Sequence, residues 1–185
     1  MPVLISMLRG VNLPNHNKIN MVALSALYES LKFEDPRTYV QSGNVIFHTK
    51  EKNSSALAKK IQNVIEREFG CRPEVILRTT DELRKAIAAS PFSSGRDLEP
   101  SKILVTFLAA EPGPEVHATL LSLKSHPEEL HLKGRELYIY FPDGVGRSKL
   151  PWSSVEKLLK TTGTARNWNS VTKMLAIAEE MEAGE

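Results

Sequence analysis

The apolar residues of this chain switch repeatedly between strand-like and helix-like spacing. Val3–Leu8 is a short apolar run interrupted only by Ser6, the composition of a buried strand. Val11 to Lys18 carries Asn12, Pro14, Asn15, His16 and Asn17 and reads as a turn-rich loop. Asn20 is placed to cap a helix whose inward face is Leu24, Leu27, Tyr28 and Leu31. Arg37–Gln41 and Asn44–His48 read as strands, and the two-residue link Ser42-Gly43 between them predicts a hairpin. Ser54 or Ser55 opens a longer helix with Leu57, Ile61, Val64, Ile65 and Phe69 inward, closed by Gly70. Glu74–Arg78 is the next strand.

That order, β-α-β-β-α-β over residues 1–80, predicts a ferredoxin-like half. Thr79 and Glu82 have the capping-box spacing for a short helix through Leu83, Ala86 and Ile87. Ala88 to Pro100, with Pro91, Ser93, Ser94 and Gly95, reads as a linker, so 81–100 is expected to be a short helix and a connection. Lys102–Leu108 is strongly strand-like, and Pro112-Gly113-Pro114 breaks it before a helix with Val116, Leu120, Leu121 and Leu123. Glu129–Leu132 and Glu136–Phe141 predict a second hairpin around Lys133-Gly134-Arg135. Trp152–Lys160 reads as a helix, and the last helix presents Val171, Leu175, Ala178 and Met181, with Ala183–Glu185 frayed. Residues 101–185 are therefore expected to form a related βαββα half with a C-terminal helix. The fold class is α+β. The second half echoes the first in element order, without a sequence repeat.

Composition narrows the class. At 185 residues, 41% hydrophobic and 25% charged, the chain can build a solid core. The net charge of +2 lacks the strong basic excess usual in dedicated nucleic-acid binders. Cys71 is the one cysteine, which excludes an intrachain disulfide and a cysteine zinc site. No apolar run reaches bilayer length, and Met1–Arg9 reads as a strand and not a signal peptide. The expected location is cytoplasmic, with no membrane partner.

Candidate chemistry is concentrated in turns. Pro142-Asp143-Gly144-Val145-Gly146-Arg147-Ser148-Lys149 lies between a predicted strand and a predicted helix, where glycine turns, helix N–H groups and two cations favour an anion. The spacing is neither a Walker A loop nor a Rossmann fingerprint, and a solvated turn explains it about as well. In Arg166-Asn167-Trp168-Asn169, Trp168 offers a stacking face beside Arg166, although a core tryptophan behind an Asn169 or Ser170 cap is the commoner outcome. Gln41, Ser42 and Asn44 sit in a hairpin turn, Arg9 and Asn12 follow the first strand, and Lys18 and Lys173 add charge. Together, Arg9, Asn12, Lys18, Gln41, Ser42, Asn44, Arg147, Ser148, Lys149, Arg166, Asn167, Trp168, Asn169 and Lys173 form a donor-rich candidate set with little acid in it. Asp143, the one carboxylate inside a motif, is explained by turn geometry. His16, His48, His117, His126 and His131 show no metal-ligand spacing, so no metal, cofactor or catalytic residue is assigned.

With Leu8-Arg9-Gly10-Val11-Asn12, Tyr39–Val45, Gly146–Leu150 and Thr164–Asn169 taken in order, the chain resembles the bacterial family named domain of unknown function 1697 (DUF1697), from about Leu8 to Lys173. The resemblance implies a ferredoxin-like α+β fold and no established activity. Leu13-Pro14-Asn15-His16 stands where the family usually has a glycine pair, and Pro14 removes one N–H from that loop. The expected function is binding of a small anionic ligand, a nucleotide or phosphorylated metabolite, through these donor-rich turns at the junction of the halves. An enzyme acting on such a ligand is the alternative, and it requires a base or carboxylate in the pocket. Nucleic-acid binding on the first sheet is a further alternative, not favoured, which needs exposed aromatics such as Tyr39 and Phe47.

Overall fold

The computed structural model describes residues 1–93, 96–122 and 127–184, so Ser94, Gly95, Leu123, His126 and Glu185, named above, lie outside the described residues. The chain divides into two compact units, Met1–Arg84 with Lys173–Glu185, and Lys85–Thr172. In the first, β1 (Val3–Leu8), α1 (Met21–Ser30), β2 (Glu34–Tyr39), β3 (Asn44–His48), α2 (Ser54–Phe69) and β4 (Val75–Thr79) follow one another, and α3 (Thr80–Ala88) begins there. The second holds β5 (Ile103–Leu108), α4 (Glu115–Ser122), β6 (Glu129–Lys133), β7 (Glu136–Tyr140), α5 (Trp152–Leu159) and β8 (Gly163–Asn167), after which α6 (Trp168–Ala183) starts. The class is α+β, with two four-stranded antiparallel sheets ordered β2-β3-β1-β4 and β6-β7-β5-β8, and six helices among the described residues.

Local chemistry explains most element ends. The Asn20 side chain accepts hydrogen bonds from the Val22 and Ala23 N–H groups, which satisfies two orphan donors at the start of α1. Ser54 opens α2 as expected, Asn53 before it is the cap, and Gly70 ends the helix at φ +69. Thr79 and Glu82 form the reciprocal capping box, at 2.9 and 3.1 Å. In the first unit, Leu4, Leu8, Val45, Phe47, Val75 and Leu77 on one sheet face pack with Leu24, Leu27, Tyr28, Leu57, Ile61 and Ile65 of α1 and α2. In the second, Leu108, Leu130, Leu132, Leu137 and Ile139 pack with Val116, Leu120, Val155 and Leu159 of α4 and α5.

Three readings of the sequence change. First, β2 runs Glu34–Tyr39 with a register shift between Glu34 and Arg37, where Asp35 takes φ +47 next to Pro36. Its hairpin link is therefore the four residues 40–43 and not Ser42-Gly43 alone. Second, the second half is βαββαβ and not βαββα. Gly163–Asn167, read as a turn before a helix, is strand β8, paired to β5 from Leu104↔Asn167 to Leu108↔Gly163. Its buried positions are Thr164 and Arg166, which carry no hydrophobic period, and sheet pairing overrides their weak signal. Third, the residues of α6 from Lys173 on group with the first unit, although the sequence reading joined that helix to the second half. There Glu180 pairs with Arg37 at 2.8 Å and Glu179 with Arg84 at 3.0 Å.

The two units share one hydrogen-bond plan. Ile5 faces Ile46 and Arg78, and Val105 faces Tyr138 and Arg166. Leu8 N donates to Gly43 O at 2.9 Å, and Leu108 N donates to Arg135 O at 2.9 Å. Arg9 N to Glu74 O recurs as Ala109 N to Thr162 O, and Thr49 N to Pro2 O recurs as Phe141 N to Lys102 O. Both sheets also place a buried arginine at the same register position, Arg78 in β4 and Arg166 in β8.

Candidate functional site

In the first unit the candidate residues are joined by the fold itself. Met7, one residue before the end of β1, pairs with Asn44, the first residue of β3, and Leu8 N donates to Gly43 O, so the loop after β1 and the turn before β3 share one end of the sheet. Asn12, at φ +53, donates from Nδ2 to the Ile19 and Gln41 carbonyls at 2.9 and 2.8 Å, and its Oδ1 accepts from Ile19 N at 2.8 Å. The fully buried Asn44 donates to Tyr39 O at 2.9 Å and to Ser42 Oγ at 3.0 Å. Gly43, at φ +78, lies where a Cβ would come within 2.6 Å of Val11 Cγ2, so only glycine lets loop and turn close together. Asn12, Ser42 and Asn44 are thus occupied in holding the two segments. Gln41 and Lys18 are exposed beside them, Arg9 is half-buried, and Val40, β-branched and 46% exposed, is held at φ +51.

In the second unit the turn after β7 keeps its charged side chains Asp143, Arg147 and Lys149 exposed. After β7, Phe141 is buried and packs on Trp152 with ring centroids 6.1 Å apart. Gly144 turns the chain at φ +87, and a short 3-10 turn over Val145–Arg147 delivers Arg147, Ser148 and Lys149 ahead of α5. The cations therefore sit on the turn, before the helix starts at Trp152. Ser148 Oγ donates to Glu128 Oε1 at 2.6 Å and accepts from Leu150 N at 3.1 Å, which ties the turn to the segment before β6. Pro127, Glu128, Asp143, Arg147 and Lys149 line a cavity of about 210 Å³. Glu128 is 5% exposed, and its Oε2 is buried with no hydrogen-bond partner among the described residues. Glu128 carried no motif signal; Pro127-Glu128-Glu129 reads as an ordinary entry into a strand.

Tyr140 and Asn167 flank the start of β5, so the turn and the Arg166–Asn169 motif lie at the same end of the second sheet. Arg166 itself is 6% exposed. Its Nη1 donates to Thr164 Oγ1 at 2.7 Å and to Ala165 O at 2.8 Å, and burial pushes its pKa down to about 10. Asn167 is the helix cap, its Oδ1 accepting from Ser170 N at 2.8 Å, the role the sequence reading gave to Asn169 or Ser170. Trp168 is the half-buried first residue of α6, and Asn169 and Lys173 are exposed. Phe47 lies in the first core against Tyr28 and Phe33, so it presents no stacking face. Among the described residues, no group of three or more His, Cys, Asp or Glu side chains is placed to hold a metal ion. No described helix is long and apolar enough to cross a membrane.

A family model described as protein of unknown function (DUF1697) matches residues 1–138. The chain belongs to the DUF1697 family. The matched stretch includes Leu8–Asn12, Tyr39–Val45 and Glu128, and it ends before Pro142–Lys149 and Arg166–Asn169. No curated protein is detectably similar to the chain. Among solved structures it is similar to the conserved bacterial protein SP0830 from Streptococcus pneumoniae, at 20% identity and a TM-score of 0.66 over 97% of this chain and 99% of that one. At that identity the likeness is one of fold.

Proposed function

We propose that this DUF1697 protein binds a small anionic ligand, a nucleotide or phosphorylated metabolite, at the turn between β7 and α5. The scaffold we infer is a pair of ferredoxin-like βαββαβ halves, a reading supported by the matching strand orders and registers of the two sheets. The observation that carries the binding reading is the convergence of Arg147 and Lys149 on one cavity. Arginine adds a planar fork of donors suited to phosphate or carboxylate, and lysine a mobile point charge. Ser148 shapes the turn through Glu128, and in the first unit Asn12, Ser42 and Asn44 serve the scaffold.

A ligand at about a hundred times its dissociation constant stabilises the folded state by about 2.7 kcal/mol. A thermal-stability panel of nucleotides, sugar phosphates and inorganic phosphate should therefore give a shift that Arg147→Ala and Lys149→Ala abolish. A shift that persists in both variants moves the site elsewhere. The enzyme alternative gains from Glu128 and Asp143, which place carboxyl groups in the same cavity. Turnover of a bound phosphomonoester that is lost in Glu128→Gln, with binding retained, would establish it.

A further inference from the structure

We infer that the ligand of the β7–α5 cavity is a small zwitterion: a phosphomonoester that also carries an ammonium group, held through Glu128. The inference rests on the anion-binding reading above and narrows it. A bare anion drawn to Arg147 and Lys149 would also face Asp143 and Glu128, which line the same cavity. A ligand with charge of both signs meets each pair with its opposite. A phosphomonoester carries about −1.5 to −2 at neutral pH and suits two cations.

Glu128 supplies the second half of the match. A buried carboxylate oxygen without a hydrogen bond is costly and uncommon in folded proteins. Ser148 occupies Oε1, so the turn holds the carboxyl group in place while Oε2 stays without a partner among the described residues. An ammonium is the donor such an oxygen favours most, because a hydrogen bond between charged groups is about twice as strong as a neutral one. Size supports the same class. A cavity of about 210 Å³ is below the roughly 300–1,000 Å³ of pockets that enclose larger ligands. It has room for a phosphate and a few carbons, and a base and ribose would have to lie outside.

The test compares O-phosphoethanolamine with ethyl phosphate, which differ by the ammonium alone, by titration calorimetry on the full chain. O-phosphoethanolamine should bind at least roughly tenfold more tightly. Glu128→Gln keeps the acceptor for Ser148 and should erase that preference, while ethyl phosphate, which then faces one carboxylate fewer, should bind at least as tightly as before. Arg147→Ala should weaken both ligands. Equal binding of the two by the unaltered chain overturns the zwitterion inference and leaves the anion site standing. A preference that survives in a folded Glu128→Gln, checked by circular dichroism, overturns the assignment to Glu128. Binding of neither ligand overturns both readings. The first comparison needs no variant, so a folding defect in Glu128→Gln cannot mask it.

Discussion

In the first unit, the connection from β1 to α1 carries Asn12, Asn15 and Asn17 at positive φ and spends the Asn12 side chain on three hydrogen bonds to its own backbone surroundings. In the second, the connection from β7 to α5 fixes itself through Ser148 and leaves Asp143, Arg147 and Lys149 exposed around a cavity. The β1–β3 and β1–β4 registers correspond pair by pair to β5–β7 and β5–β8, so apart from the bulge in β2 the contrast lies in the loops. Each unit is also plain where the other is elaborate: residues 49–53 join β3 to α2, and 109–114 join β5 to α4. Polar residues in a loop are therefore ambiguous until their partners are known. Those whose hydrogen-bonding capacity is used up locally belong to the scaffold, and those left open are where a ligand is to be sought.

The largest expected effect breaks the locked side. In Gly43→Ala, the new Cβ would lie 2.6 Å from Val11 Cγ2 and 2.9 Å from Leu8 Cβ at φ +78, and the expected loss is about 3 kcal/mol. The same change at Gly144, at φ +87 with open space around it, should cost about 1 kcal/mol. Urea midpoints of the two variants measure the contrast directly. Asn12→Ala should cost about 2 kcal/mol, since it strands the Ile19 N–H along with two carbonyls. Calorimetry on that variant should show phosphate-ligand affinity in the second unit unchanged.

Alkaline pH gives a third contrast. Burial raises the pKa of Tyr28 above its ordinary value of 10.0, against a smaller lowering by its Ser6 hydrogen bond. The folded state keeps a proton that the unfolded state releases above that value. The Tyr28 contribution is thus complete below pH 10 and falls by about 1.4 kcal/mol per pH unit above it. Denaturation between pH 9 and 11 should show this slope, and Tyr28→Phe should remove it. A smaller effect comes from Val40→Asn, which places a residue tolerant of φ +51 at a strained, exposed position and should add about 1 kcal/mol to the unfolding free energy. Smallest is Arg147→Ala, expected within about 0.5 kcal/mol of the parent in stability because Arg147 is exposed, while affinity for phosphate ligands falls.

Legibility followed the range of the interactions. Asn20, the Thr79–Glu82 box and Gly70 act over a few residues, and their roles could be read directly from the sequence. The alternation of Val45 and Phe47, or of Leu137 and Ile139, exposed the strands because a one-sided core imposes a period. β8 is not legible in the sequence because its inward positions are Thr164 and Arg166, which signal a turn or a ligand site when read alone. The function of Asn12 depends on Gln41, 29 residues away, and that of Glu128 on Ser148, 20 away. No local pattern announces such pairs. The turn residues of both regions stood out by composition, which does not separate a residue that binds its own backbone from one that faces a cavity.

The first unit is discontinuous in sequence: Met1–Arg84 is completed by Lys173–Glu185, and all of Lys85–Thr172 comes between. The order of synthesis and the order of structural completion therefore differ. At roughly 5–20 residues per second, the first sheet waits roughly 4–18 s after Arg84 has been made before Lys173 is added. Throughout that interval Arg37 and Arg84 are without Glu180 and Glu179, their partners on α6. A chain halted at Thr172 would contain every residue of the second unit and an unfinished first one, so the unit begun first on the ribosome is the one completed last.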